Sequence, residues 1–305
     1  MWNRALTLLA RLLGRSPPPR APMTAGPAGL PDDTAAVPER CVSVVIPALN
    51  EAARIASVVA HVRADPATAE VIVIDDSSTD DTAHLAQAAG ARVILSTMLG
   101  KGASMKDGAA VAAQECIVYL DGDLAGLQPG LVSRLARPVA SGRADFVKAR
   151  FGRSGGRVTE LTAKPMLKVF FPELAGLAQP LGGLIAARRS LLRQLAFEDG
   201  YGVDIGLLID AHRAGARLAE VDIGRLENDS QPLPDLAVMA NEVSRVIYQR
   251  ARQVSSASCT RCWTPPTATP PRAAAASPRC SASCTGSSSS AWRRRCRCAR
   301  VSSRR

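Results

Sequence analysis

Over residues 41–121, four short apolar runs rich in β-branched residues alternate with stretches whose apolar positions recur at helical spacing. "CVSVVI" (41–46) stops at Pro47, and "NEAARIASVVAHVRA" follows with Ile55, Val58, Val59 and Val62 along one stripe, the period of a helix. "EVIVIDD" (70–76) is a second strand ending in acid. "SSTDDTAHLAQAAGA" then offers Ser and Thr as N-caps, with Asp80 and Asp81 placed in a helical first turn and Gly90 as the stop. "RVILS" predicts a third strand, "KGASMKDGAAVAAQE" a helix and "CIVYLD" a fourth strand. Strands apolar on both faces, each followed by a helix, predict an α/β fold: a mostly parallel sheet with helices on both faces.

Ligands of such sheets bind beyond the carboxyl ends of the strands. Here those ends lead into "PALNE", "DDSSTDD", "MLGKG" and "DGDLAG". In extended chain, side chains two positions apart point the same way, so Asp121 and Asp123 can converge. Two close carboxylates raise each other's pKa unless a cation offsets them. Mg²⁺ or Mn²⁺ would do so and keep coordination positions for phosphate oxygens. An acidic turn with Gly122 at positive φ is the plain structural alternative. Lys101, between glycines at the preceding strand end, can reach a diphosphate as a point charge.

Charge narrows the class of partner. The 305 residues carry a net charge of +11, but ten arginines with no Lys, Asp or Glu lie from Val254 onward. The rest is close to neutral, so no overall basic field supports nucleic-acid binding. The chain divides into a basic helix with a Pro-rich linker (1–40), two halves of one domain (41–150 and 151–253) and an Arg/Ser/Cys-rich tail (254–305). The tail contains no Leu, Ile, Phe or Tyr and is expected to be disordered or frameshifted. An arginine-rich interaction tail, or a zinc site built on its cysteines, is the alternative. "MWNRALTLLARLLGR" is too short to span a bilayer; it reads as an interfacial helix or as leader upstream of Met23, and no stable membrane insertion is expected. Cys41 and Cys116, the only cysteines before the tail, read as buried free thiols of a cytoplasmic protein. Leu236, Met239, Val243, Val246 and Ile247 keep helical spacing, for the core or for a homodimer contact, with the core preferred.

"VSVVIPALNE", "VIVIDDSSTDDT", "GKG" and "VYLDGDL" resemble the nucleotide-sugar half of GT-A glycosyltransferases of the family 2 type. "GGRVTELTAKPML", "PELAGLAQPLGGLIAARRSLL", "GYGVDIGLLIDAHRAGA" and "DSQPL" narrow the resemblance to the glucosyl-3-phosphoglycerate synthases, retaining enzymes, over roughly residues 41–250. The resemblance implies transfer of glucose from a nucleotide-glucose, UDP-glucose favoured, to 3-phosphoglycerate. It places Ala48, Leu49, Glu51 and Asp76 at the uracil and ribose, Lys101 at the phosphates, and Asp121 near the ribose and the metal, with Asp123 ligating the metal. Gly182 and Gly183 would let backbone approach the sugar, and Asp204 would orient its hydroxyls. Gly156, Arg157 and Thr159 would grip the small anionic acceptor, as would Ser230, which stands where the family often has Asn.

Asn228 occupies the place of the family's histidine metal ligand, a weaker donor for Mg²⁺ or Mn²⁺ that Asp229 could replace. His61, His84 and His212 fall in predicted helices and read as structural. Three other readings stay open. One is an inverting family 2 transferase acting on a polyprenyl phosphate or another small acceptor. Another is a nucleotidyltransferase, which typically opens with a Gly- and Arg-rich loop that "PALNE" is not. The last is a catalytically weakened sugar-nucleotide-binding homologue.

Overall fold

The computed structural model describes residues 37–152, 156–226 and 233–260, with side chains of the last stretch described from 235 to 253. Seven strands form one sheet in the order β3-β2-β1-β4-β6-β5-β7. They are β1 Val42–Ala48, β2 Thr68–Asp75, β3 Arg92–Leu95, β4 Cys116–Tyr119, β5 Phe146–Arg150, β6 Ile185–Arg188 and β7 Leu218–Asp222. β1 pairs parallel with β2 and β4, as do β2 with β3 and β5 with β7, whereas β6 runs antiparallel to both β4 and β5.

The alternation of side chains explains the doubly apolar strands. Val42, Val44 and Ile46 of β1 and Val71 and Val73 of β2 enter one core cluster. They meet helix α1 (Ile55–Arg63), α2 (Thr82–Ala88) and α4 (Leu131–Ala140). Val45, Ile72 and Ile74 face the other cluster, with α3 (Lys101–Val111), α5 (Lys164–Phe170), the short α6 (Arg189–Leu192), α7 (Val203–Arg213) and α8 (Leu233–Thr260). Both faces are covered, so both must be apolar. In α8, Val243, Val246 and Ile247 are fully buried and Leu236 and Met239 pack against the same cluster, which settles their role as core.

Two local expectations change. α2 begins at Thr82, so Asp80 and Asp81 precede it rather than occupying its first turn. Asp80 instead accepts the amides of Thr82 (3.0 Å) and Ala52 (3.1 Å), tying the loop after β1 to the loop after β2. Cys116 is buried, and burial pushes its thiol up to about 12, but Cys41 is only half-buried. His61, His84 and His212 lie in α1, α2 and α7, as expected. Among the described residues no helix is long and apolar enough to cross a membrane. The expectations for 1–36 and 261–305 lie outside the described residues.

Candidate functional site around the DGD turn

The direction of the chain reverses across the sheet between β1 and β4: β2 and β3 are laid down on one side of β1, and β4 on the other. That switch point leaves a crevice at the carboxyl ends of the two strands. It is lined by "PALNE" at the end of β1 and "DGDLAG" after β4.

β4 ends at Tyr119, and Asp121–Asp123 form a turn rather than continuing the extended strand. Strand alternation therefore does not aim these two side chains. The carboxylates are nonetheless close enough to interact: burial raises the Asp123 pKa, and Asp121 raises it further. Arg54 fixes the turn by donating to the Asp123 carbonyl at 2.7 Å. Gly122 is not at positive φ; a Cβ there would meet the Glu51 side chain at 3.2 Å. Glu51 is the third acid of the crevice, pushed up to about 7 by burial and then by Asp123 and Asp121. Excess negative charge thus collects where a cation would relieve it. Among the described residues, however, no three acidic, His or Cys side chains gather closely enough to hold a metal. Asp121 and Asp123 fit as part of a ligand set that a bound diphosphate or another segment completes.

Lys101 opens α3, and Gly100, at φ +115°, makes the turn before it. Both Asp76 carboxylate oxygens accept the Gly100 amide, at 2.9 and 3.0 Å. Asp76 thus holds the loop that presents Lys101. Its burial raises its pKa, and the Gly100 amide opposes that. The Lys101 ammonium lies 2.8 Å from Asp121 and 3.1 Å from Asp204. Burial alone would lower its pKa, but Asp121 and Asp204 outweigh burial and raise it. Asp204 sits in the first turn of α7, as a helix-terminal acid would, yet it is 4% exposed and directed at Lys101. Its other carboxylate oxygen is buried without a protein hydrogen-bond partner.

Gly183 completes the cluster. A Cβ there would collide with both carboxylate oxygens of Asp121 and come within 2.7 Å of the Lys101 ammonium, so bare backbone faces the charged pair. Ala48 is buried at the end of β1, and Leu49 is half exposed at the crevice. Gly156 precedes a helical segment that begins at Arg157, which is exposed, and Thr159 is buried at the start of the π-helical stretch Thr159–Ala163. Asn228, Asp229 and Ser230 lie outside the described residues.

Two residues escaped the sequence reading. Asp75 is 7% exposed; one carboxylate oxygen accepts the Ser78 amide at 3.3 Å and the other has no protein partner. Its signal was the doubled acid in "IDD". Lys148 of β5 is 1% exposed and donates to the Gly182 carbonyl. A lysine inside the apolar run "DFVKA" was the available sign, since lysine is rarely buried without a partner.

Residues 43–200 match the model of the "Glycosyl transferase family 2". The glucosyl-3-phosphoglycerate synthase of Mycobacterium tuberculosis is 38% identical over 238 residues, covering 69% of this chain and 74% of the relative. That of Petrotoga mobilis is 34% identical over 239 residues, covering 68% and 73%. A crystal structure of the M. tuberculosis synthase with Mn²⁺, UDP-glucose and phosphoglyceric acid superposes with a TM-score of 0.66. It is 40% identical, covering 70% of this chain and 80% of that one. A second, with Mn²⁺, UDP and glucosyl-3-phosphoglycerate, has the same TM-score at 39% identity, covering 70% and 80%. With its mostly parallel sheet, its acidic turn after β4 and these relatives, the chain belongs to glycosyl transferase family 2 and has the GT-A fold.

Proposed function

We propose that this chain is a metal-dependent, retaining glucosyltransferase that moves glucose from UDP-glucose to 3-phosphoglycerate, giving glucosyl-3-phosphoglycerate. One observation carries the reading. At the switch point, Lys101 pairs with both Asp121 and Asp204, and Lys101 and Asp121 face the bare backbone of Gly183, in a chain 40% identical to a synthase held with Mn²⁺, UDP-glucose and phosphoglyceric acid. The setting proposed is cytoplasmic, and the partners are a nucleotide-sugar and a small anionic acceptor.

Leu49 and Ala48 flank the base, Glu51 the ribose, and Asp76 acts by fixing the Gly100 turn. Asp121 and Asp123 would hold Mg²⁺ or Mn²⁺, with Asn228 as the further protein ligand; the ion supplies electrostatic stabilisation of the departing diphosphate. Lys101 turns from its carboxylates to the phosphates and adds positive charge where negative charge develops. Asp204 accepts hydrogen bonds from glucose hydroxyls and orients the ring. Arg157, with the Gly156 backbone and the Thr159 and Ser230 hydroxyls, holds the acceptor's phosphate and carboxylate.

In this reading the leaving diphosphate itself takes the acceptor's proton, so no histidine is called on, in keeping with the described histidines lying in α1, α2 and α7. The bond from the anomeric carbon to UDP breaks, and the acceptor's hydroxyl oxygen bonds that carbon on the same face. Its proton passes to the leaving diphosphate oxygen. Positioning and electrostatics then carry the rate.

The test is a panel of UDP-glucose, GDP-glucose and GDP-mannose against 3-phosphoglycerate and glycerate with Mn²⁺, read by product mass. Glucosyl-3-phosphoglycerate from UDP-glucose is the expected product, and hexose on glycerate alone would reassign the acceptor. Asn228 favours one second reading, a sugar-nucleotide binder with weak turnover; UDP-glucose binding without product in any arm would select it.

A further inference from the structure

Lys148 and Glu220 face each other in register across β5 and β7. Both are buried. The Glu220 carboxylate accepts the Ala178 amide at 2.7 Å, and the Lys148 ammonium donates to the Gly182 carbonyl. The two residues thus anchor opposite ends of one segment, "AQPLGG" (178–183), which sets Gly183 against Asp121 and Lys101. A fully buried ammonium is expensive unless its protons and charge are matched. Methionine would fill the same volume beside Phe146 without that cost, so the charge itself calls for a role.

The charged groups facing Lys148 supply one. They are Asp204 of α7, Lys101 of α3, Asp121 after β4 and Glu220 of β7. Burial pulls its ammonium down to about 8, with Asp204 the strongest opposing influence. Asp204 is shared at present with Lys101. When Lys101 engages a diphosphate, Asp204 loses its nearest cation while staying buried, and a buried carboxylate without a counter-charge takes up a proton. Lys148 is then the cation still facing it.

We propose that Lys148 is a positioning residue for the sugar end of the donor site: it holds the Gly182–Gly183 turn against Asp121 and Lys101, and its charge keeps Asp204 ionised when Lys101 moves to the donor's phosphates. The inference rests on the glucosyl-transfer reading above. Calorimetry with Mn²⁺ separates the two, using UDP, which lacks the sugar, and UDP-glucose, with steady-state kinetics alongside. K148M should keep UDP affinity within about twofold, weaken UDP-glucose about tenfold or more, and lower kcat on the order of 100-fold. K148Q, which retains a donor for the Gly182 carbonyl but no charge, should recover UDP-glucose affinity toward wild type while its kcat stays low. It is read by the same two ligands if K148M fails to fold. Equal weakening of UDP and UDP-glucose, or wild-type turnover in K148M, overturns the assignment. A wild-type protein that binds UDP but gains nothing from the glucosyl group overturns the function reading, and the role of Lys148 with it.

Discussion

Asp123 and Glu51 hold the most consequential unbalanced charge in the molecule, and the predictions at residue scale follow from it. If Asp123 ligates the ion as proposed, Asp123→Ala should lower Mn²⁺ affinity in calorimetry by at least about 100-fold, beyond what loss of an outer-shell partner costs. Asn228→His replaces an amide oxygen with imidazole and should tighten Mn²⁺ measurably by the same titration; unchanged affinity would remove residue 228 from the ligand set. Glu51 gives a pH signature. Its folded pKa of about 7 lies above the ordinary 4.5, so between those values the native state binds more protons than the unfolded chain. Stability of the metal-free protein should therefore decline as pH rises from about 4.5 to 7, and Glu51→Gln should flatten that decline in melts run with chelator. Metal affinity should climb over the same window, because a proton on Glu51 removes negative charge beside the proposed ion site.

The elements decide which of these charges meet. The acidic turn hangs on β4, Lys101 on α3, Asp204 on α7 and Gly183 on the segment before β6, so the cluster draws on chain 103 residues apart. Its closeness depends on glycines as spacers. Gly183→Ala should leave the melting profile near wild type, since the colliding atoms are side-chain ends, yet lower kcat about 100-fold by displacing Asp121 and Lys101. Gly102→Ala tests the opposite case. Its Cβ would drive into the Glu198 carbonyl where the Gly102 amide donates to Asp199 at 2.8 Å, so α3 and the loop before α7 must part. A loss of about 1–3 kcal/mol in chemical denaturation is expected, as for other overpacked sites.

For the whole molecule, α8 closes the second core and braces both α7, which carries Asp204, and the loop before it. The Glu242 carboxylate accepts the Tyr201 amide at 2.6 Å, and Arg250 binds Asp210 at 2.9 Å and Glu198 at 2.6 Å. Ile247→Ala should destabilise the fold by about 2–5 kcal/mol. The loss should be the same at low and high protein concentration, because Ile247 is buried within the chain itself; a concentration-dependent loss would instead mark a dimer contact.

The strand–helix alternation, the parallel sheet and the polar strand ends were legible in the sequence, because a period of 2 or 3.6 is a local property of a short window. "GKG" and "DGD" pointed to phosphate and cation for the same reason: spacing and residue type fix the local chemistry. What stayed hidden needed partners distant in the chain. Asp76 serves Gly100 because β2 and β3 lie side by side, and Lys101 is shared between Asp121 and Asp204 because α7 packs beside α3. Lys148 is buried under the Gly182 carbonyl because β6 enters antiparallel between β4 and β5. The DGD carboxylates meet in a turn and not along a strand, since β4 ends two residues earlier than its apolar run suggested. The sequence by itself determined which residues could carry charge to the crevice. Tertiary packing alone decided which of those charges are buried together, and burial is what turns a surface lysine or aspartate into a group with a specific partner.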